Sequence, residues 1–121
     1  MFKINDWISQ DSKVLDLGCG DGSLLNDLRK EKSASGLGIE IDSEKIKSCL
    51  EKGISVIEQD IDSGLENFGN QSFDYVVMSQ SIQALKKPEV ALEEIVRIGK
   101  ECIVSIPNFA NIKCRLQLFF K

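Results

Sequence analysis

The stretch that most constrains the fold of this chain is residues 13–22, KVLDLGCGDG. Its first half is apolar, and glycines follow at positions 18, 20 and 22. Glycine lets a backbone turn with positive φ and approach a ligand closely, and a helix that follows such a turn offers unpaired N–H groups. The stretch therefore predicts a buried strand, a glycine-rich turn and a helix, arranged as in nucleotide-binding sites.

The spacing of the glycines separates the known kinds of nucleotide-binding turn. A P-loop has a Lys-Ser or Lys-Thr pair after its last glycine, and no such pair follows Gly22. The dinucleotide pattern G-x-G-x-x-G fits only if Ser23 replaces the third glycine. Asp16 before the turn and Asp21 within it disfavour a pyrophosphate and suit a ligand with a positive end. An ordinary strand-to-helix turn without a ligand is the alternative.

Length, charge and composition limit the class of protein. The 121 residues fit one domain, residues 1–121, because domains are commonly about 100–150 residues long. The net charge of −4 disfavours nucleic acid, which requires a basic face. No apolar run approaches the ~20 residues that span a bilayer, and the N-terminus has no signal-peptide core, so we expect no membrane partner.

The cysteines and the missing histidine limit the chemistry. The four cysteines form no C-x-x-C pair and the chain has no histidine, so we expect neither a metal site nor a disulfide framework. A reducing cytoplasm fits this composition. Without histidine, a Ser-His or Cys-His catalytic pair is excluded.

Strand and helix patterns alternate along the chain. We predict strands near residues 13–17, 36–41, 54–57, 73–78 and 101–106 and helices near 2–9, 22–32, 43–53 and 88–98, with Ser43 capping the third helix. This alternation predicts an α/β fold with a mostly parallel sheet and helices on both faces. Right-handed crossovers place the first strand near the middle, with its loop at the carboxyl edge of the sheet where ligands bind.

Glu40 ends the second predicted strand, 22 residues after Gly18. A carboxylate there can accept hydrogen bonds from both hydroxyls of a ribose. Enzymes that bind NAD place an acid similarly, so Glu40 indicates a nucleoside without choosing between cofactors. The alternative for Glu40 is a solvated charge at a strand end.

An acid two residues before G-x-G-x-G resembles the first motif of class I S-adenosylmethionine-dependent methyltransferases. Residues 73–85, FDYVVMSQSIQAL, resemble the fourth motif, F-D-x-V followed by a loop over the cofactor. The resemblance implies a three-layer α/β/α Rossmann-like fold with S-adenosylmethionine or S-adenosylhomocysteine as ligand. Many relatives have a histidine where this chain has Gln83, so one commonly proposed catalytic group is missing.

The later stretches resemble one branch of that superfamily, the MetW-like methionine biosynthesis proteins. The residues that carry this resemblance are IVSIPNF at 103–109, RLQL at 115–118, and the stretches 14–22, 38–42 and 79–85. The resemblance implies a role in methionine biosynthesis alongside homoserine O-acetyltransferase, whether as an enzyme or as a cofactor-sensing partner.

The resemblance also implies a set of cofactor-binding residues. In it, Asp60 would accept the adenine amino group while Ile61 packs on the ring. No residue stands out as a catalytic base, and no metal ligand is implied. The predicted cofactor-binding residues are Asp16, Gly18, Cys19, Gly20, Glu40, Ile41, Asp60, Ile61 and Ser79.

The C-terminal stretch departs from the superfamily pattern, which continues past the fifth strand with a helix and two more strands. We predict that the sheet is truncated after the fifth strand, which leaves an open edge. Apolar residues recur with helical spacing at Ile112, Leu116, Phe119 and Phe120. This edge predicts self-association or docking on the acetyltransferase.

Two other functions stay open at this point. One is an NAD-dependent oxidoreductase, which Asp16, Asp21 and the missing third glycine disfavour. The other is a non-catalytic module that keeps the methyltransferase fold and regulates an acyltransferase.

Overall fold

The computed structural model describes residues 3–79, 84–106 and 110–115, with backbone alone for 106 and 110–115. The helices of this part are α1 (Ile4–Trp7), α2 (Ser23–Lys32), α3 (Ser43–Glu51), a 3-10 turn (Ile61–Ser63) and α4 (Pro88–Ile98). The strands are β1 (Lys13–Leu17), β2 (Ser35–Glu40), β3 (Ser55–Glu58), β4 (Phe73–Met78), β5 (Gly99–Ile106) and β6 (Ala110–Arg115).

The strands form one sheet in the order β3-β2-β1-β4-β5-β6. The first five strands are mutually parallel, and β1 lies between β2 and β4. In the register of β1 and β2, Leu17 pairs with Ile39, so the loops after both strands leave the sheet at the same edge. The prediction of a Rossmann-like α/β fold with a mostly parallel sheet is confirmed.

Helices cover both faces of the sheet at β1. The side chains of β1 therefore belong to two apolar clusters, one on each face. Leu15 and Leu17 pack with residues of α4, whereas Val14 packs with Leu25 and other residues of α2 and α3. Burying a leucine or valine side chain contributes about 1.5–3 kcal/mol each. Because both faces are covered, the polar residue between these apolar ones, Asp16, is also buried.

The start of α3 differs in one residue from the prediction. Asp42, and not Ser43, precedes the helix as its N-cap, and its Oδ1 accepts hydrogen bonds from the backbone N–H of Glu44 at 2.9 Å and of Lys45 at 3.3 Å. Aspartate caps helices at least as well as serine, so either residue of the Asp-Ser pair fitted the pattern.

The prediction that β5 leaves an open edge is wrong. Strand β6 pairs antiparallel with β5, and Val104 lies opposite Ile112. Ile112 therefore belongs to a strand and not to a helix, because the N–H and C=O groups along β5 offer a template for pairing. Leu116, Phe119 and Phe120 lie outside the described residues.

Cys102 on β5 is disulfide-bonded, although the sequence predicted no disulfide framework. In the antiparallel register the residue opposite it on β6 is Cys114.

The helices of the described segments are short. None of them is long and apolar enough to cross a membrane.

Candidate functional site

The glycine-rich loop connects β1 to α2 in a left-handed conformation. Gly18 has φ 71° and Gly20 has φ 59°, values that residues with a Cβ seldom adopt. The backbone N–H groups of Gly18 and Cys19 both donate to the carbonyl of Ile39, at 2.8 and 3.0 Å. A Cβ built on Gly20 would have no atom within 4 Å, so the backbone there borders open space. A ligand can thus approach the loop closely.

Glu40, at the end of β2, is buried and holds this loop. Its Oε1 accepts a hydrogen bond from the backbone N–H of Gly20 at 2.9 Å. Its Oε2 accepts from the N–H groups of Ile41 and Asp42, both at 3.1 Å. The side chain is therefore not the solvated charge that the sequence left as an alternative, and its orientation is fixed before any ligand binds.

Asp16 is 1% exposed, and neither of its carboxylate oxygens has a hydrogen-bond partner. Burial raises its pKa to about 8, with a smaller contribution from the negative charge of Glu40. An unpaired buried acid costs free energy unless a ligand or ion satisfies it. Because this acid lies directly before the glycine-rich loop, it fits a cationic hydrogen-bond donor.

Five of the predicted binding residues line one open cleft of about 240 Å³, together with Ile39, Gln59, Asp62, Ala84 and Leu85. These five come from the end of β2 and from the loops after β1, β2 and β3, whose carboxyl ends meet at this edge. Ile41 is 59% exposed, which is unusual for a large apolar side chain and suits a flat ring that would cover it. The five are Gly18, Glu40, Ile41, Asp60 and Ile61.

Asp60 has a local role in addition to lining the cleft. Its Oδ1 accepts from the N–H of Asp62 at 3.0 Å and so caps the 3-10 turn. Asp62 in turn accepts from the backbone N–H of Lys86 at 3.1 Å, which ties the segment after residue 84 to the cleft. Asp62 and Leu85 also line the cleft, although they were not among the predicted cofactor-binding residues, because this connection brings the two segments together.

The other four predicted residues, Asp16, Cys19, Gly20 and Ser79, do not line the cleft. The side chain of Cys19 packs behind the loop, with its Sγ 3.7 Å from the Sγ of Cys49. Ser79 is exposed after β4 and is not among the lining residues. The position of Cys19 follows from Gly38 on β2, because a Cβ there would overlap the Cys19 side chain.

Asp21 accepts hydrogen bonds within the loop itself. Its Oδ1 accepts from the backbone N–H of Ser23 at 3.0 Å and from the Ser23 hydroxyl at 2.6 Å, and these bonds lower its pKa. Lys52 lies 3.7 Å from the other carboxylate oxygen. Asp21 therefore has a local role at the start of α2, and it is not among the residues that line the cleft.

No group of three or more potential metal ligands occurs in the segments that the structure describes. Hydrogen-bond acceptors and apolar side chains both line the cleft.

Comparisons with known proteins agree with this architecture. The chain is 37% identical over 112 residues to the "Bifunctional methionine biosynthesis protein MetXA/MetW" of Rhodopirellula baltica, covering 86% of this chain and 18% of the relative. It is 27% identical over 118 residues to the "Ubiquinone biosynthesis O-methyltransferase" of Erwinia tasmaniensis, covering 85% and 48% respectively. The chain thus spans less than half the length of either relative.

A solved structure shares the fold. Phosphoethanolamine N-methyltransferase 2 of Haemonchus contortus, solved in complex with S-adenosyl-L-methionine, matches with a TM-score of 0.72 and 20% identity, covering 82% of this chain and 25% of that one. The family model described as "Methionine biosynthesis protein MetW" matches residues 1–121. This chain, with its class I methyltransferase fold, therefore belongs to the MetW family of methionine biosynthesis proteins.

Proposed function

We propose that the cleft binds S-adenosylmethionine or S-adenosylhomocysteine and that residues 1–121 form the cofactor-binding domain of a methyltransferase-like protein of methionine biosynthesis. The observation that carries this proposal is the unpaired carboxylate of Asp16, which is buried beside the glycine-rich loop. The ammonium group of the ligand's methionine moiety supplies the positive charge and the donors that this acid lacks.

The other lining residues fit the rest of the ligand. Glu40 offers its remaining lone pair to the ribose, and the apolar side chains of Ile41 and Ile61 suit the adenine ring. Asp60 has one carboxylate oxygen beyond the one that caps the 3-10 turn, and this oxygen suits the adenine amino group. For Gly20 we propose contact through its backbone. Cys19 and Ser79 are the predicted residues with the weakest support, because the Cys19 side chain packs against Cys49 behind the loop and Ser79 is exposed outside the cleft.

When bound, S-adenosylmethionine supplies an electrophilic methyl group on a sulfonium. Methyl transfer then depends mainly on in-line positioning of the acceptor, with a base needed only for a protonated nucleophile. We assign no residue of this chain as that base. We propose that the chain binds the cofactor but shows little or no transfer alone, because none of the described residues stands out as a base.

An NAD-dependent oxidoreductase fits the cleft less well. A pyrophosphate at the loop would place two negative charges beside the Glu40 carboxylate and would leave the buried Asp16 without a cationic partner. A non-catalytic regulatory module fits the same geometry as the enzyme, because both need only cofactor binding.

The name of the Rhodopirellula relative joins MetW to MetXA in one bifunctional protein. We propose on this ground that the present chain associates with a homoserine O-acetyltransferase. We propose a cytoplasmic location as well, in keeping with a role in methionine biosynthesis. Co-purification of the chain with the acetyltransferase tests the association, and two separate gel-filtration peaks after mixing would contradict it.

Calorimetric titration with S-adenosylhomocysteine and with NADH tests the cofactor. We expect binding of S-adenosylhomocysteine that is weakened in Asp16→Asn and unchanged in Glu58→Gln. Glu58 is a matched control because it lies exposed at the end of β3, opposite Glu40 in the register, and does not line the cleft. Binding of NADH alone would overturn the proposal.

A further inference from the structure

Two free thiols lie behind the glycine-rich loop, outside the cleft. The Sγ atoms of Cys19 and Cys49 are 3.7 Å apart, and both residues are buried. Each thiol also approaches the carbonyl oxygen of Gly20, Cys49 at 3.2 Å and Cys19 at 3.7 Å. The two sulfurs thus converge on the residue whose N–H group binds Glu40 on the other side of the loop.

The space for the sulfurs exists because two neighbouring residues lack side chains. A Cβ at Gly38 would overlap Cys19, and a Cβ at Gly22 would come within 3.1 Å of the Cys49 Sγ. The pair is therefore held between β2, the loop and α3 in one packing arrangement. A disulfide has an S–S length of about 2.05 Å, so the two sulfurs must approach by about 1.7 Å to bond.

We propose that Cys19 and Cys49 form a redox modification site in which a peroxide converts the two thiols to a disulfide. One thiol, as its thiolate, attacks a peroxide oxygen, the O–O bond breaks, and a sulfenic acid and water result. The second sulfur attacks the sulfenic sulfur, the S–O bond breaks, and a second water leaves. The two sulfurs lose two electrons to the peroxide, and the two thiol protons end in water.

The buried position sets the rate of this reaction. Burial raises the pKa of Cys19, and its hydrogen bond to Cys49 raises it further. Because the thiolate is the nucleophile, oxidation should be slow compared with that of an exposed thiol. The neighbouring second thiol still makes the disulfide the preferred product once the first sulfur has reacted.

The bond would change the glycine-rich loop. A disulfide has no S–H group, so both hydrogen bonds to the Gly20 carbonyl would be lost, and drawing the sulfurs together would pull the loop towards α3. The N–H group of Gly20 would then move relative to Glu40. We expect weaker binding of S-adenosylhomocysteine in the oxidised chain, a consequence that rests on the proposed function, whereas bond formation does not.

Peptide mapping tests the bond directly. The folded chain is reduced, treated with hydrogen peroxide, alkylated and digested with trypsin, which places Cys19 in peptide 14–29 and Cys49 in peptide 48–52. We expect these two peptides to be joined and lighter by two hydrogens, and to stay separate in Cys49→Ala and Cys49→Ser. The masses distinguish this bond from any that involves Cys102. Separate peptides after treatment of the folded wild-type chain would overturn the proposal.

Titration of the same samples with S-adenosylhomocysteine gives a second measurement. We expect peroxide to weaken binding at least tenfold in the wild type and to leave Cys49→Ser unchanged, and reduction should restore the wild-type affinity. Joined peptides with unchanged affinity would overturn the coupling to the loop and leave the modification standing. A reduced chain that binds no S-adenosylhomocysteine would count against the proposed function, while the peptide masses decide the modification separately.

Discussion

The Oε1 atom of Glu40 accepts a hydrogen bond from the backbone N–H of Gly20 at 2.9 Å, so the end of β2 holds the loop that follows β1. With the two bonds at Oε2, three of the about four lone-pair sites of this carboxylate are used. Glu40 can therefore accept one further hydrogen bond as it stands. The Glu40 carboxylate can accept hydrogen bonds from both hydroxyls of a ribose only if one hydroxyl takes the place of the Gly20 N–H group as donor to Oε1.

This geometry makes Glu40→Gln a more specific test of the Glu40 hydrogen bonds than Glu40→Ala. Glutamine keeps the shape but replaces one acceptor oxygen with an NH₂ group, which would face at least one of the three N–H donors. We expect the affinity for S-adenosylhomocysteine to fall by roughly 10- to 100-fold, equivalent to about 1.5–3 kcal/mol. Calorimetry measures the affinity, thermal unfolding verifies that the variant is folded, and Glu58→Gln is the control. A folded Glu40→Gln chain with wild-type affinity would remove Glu40 from the site.

The stability of the chain should depend on pH through Asp16. Its pKa is about 8 in the folded state and about 3.9 in an unfolded chain, so between these values the folded chain holds a proton that the unfolded chain has released. The free energy of unfolding therefore falls as pH rises from about 4 to 8. Asp16→Asn cannot ionise, so its melting temperature relative to wild type should rise across this window. A constant difference between pH 5 and pH 8 would show that Asp16 does not titrate there.

Ligand binding should show the opposite dependence on pH. An ammonium group pairs with the ionised form of Asp16, and below pH 8 that form must first lose its proton. We expect the affinity for S-adenosylhomocysteine to rise with pH, by up to about tenfold per unit, between pH 6 and pH 8. Titrations at pH 6, 7 and 8 measure this slope in wild type and in Asp16→Asn, where it should vanish. An equal slope in both chains would assign the dependence to another group.

Gly20→Ala should separate backbone strain from ligand contact. At φ 59° an added Cβ costs about 1–2 kcal/mol, although nothing in the chain lies within 4 Å of it. Gly53→Ala is the matched control, since Gly53 has φ 75°, its Cβ would also meet no atom within 3.4 Å, and it lies after α3, outside the glycine-rich loop. We expect similar losses of stability by chemical denaturation in both variants, and loss of S-adenosylhomocysteine binding in Gly20→Ala alone. Parallel binding losses in the two variants would point to strain instead of contact.

The sequence predicted the parallel part of the sheet because each strand there is a short apolar run bounded by glycine or by a capping residue. The cleft residue Glu40 was predicted from its position at the end of β2, whereas Asp60, two residues after β3, was predicted from the resemblance to methyltransferases. The orientation of Cys19 was not predictable, because it depends on Gly38 in another strand. Strand β6 was missed because Ile112 belongs to an apolar spacing that fits a helix as well as a strand, and only the neighbouring edge of β5 decides between them.

The contact between Gly38 and Cys19 has a consequence for how this part of the chain can vary. The two positions, one on β2 and one in the loop, share a single volume, because a Cβ at Gly38 would occupy the space that the Cys19 side chain fills. Neither position can gain atoms unless the other loses them. In related sequences the two positions should therefore change as a pair, with alanine at the position of Gly38 accompanied by glycine at the position of Cys19, because the added Cβ would also lie 2.8 Å from the Cβ of residue 19.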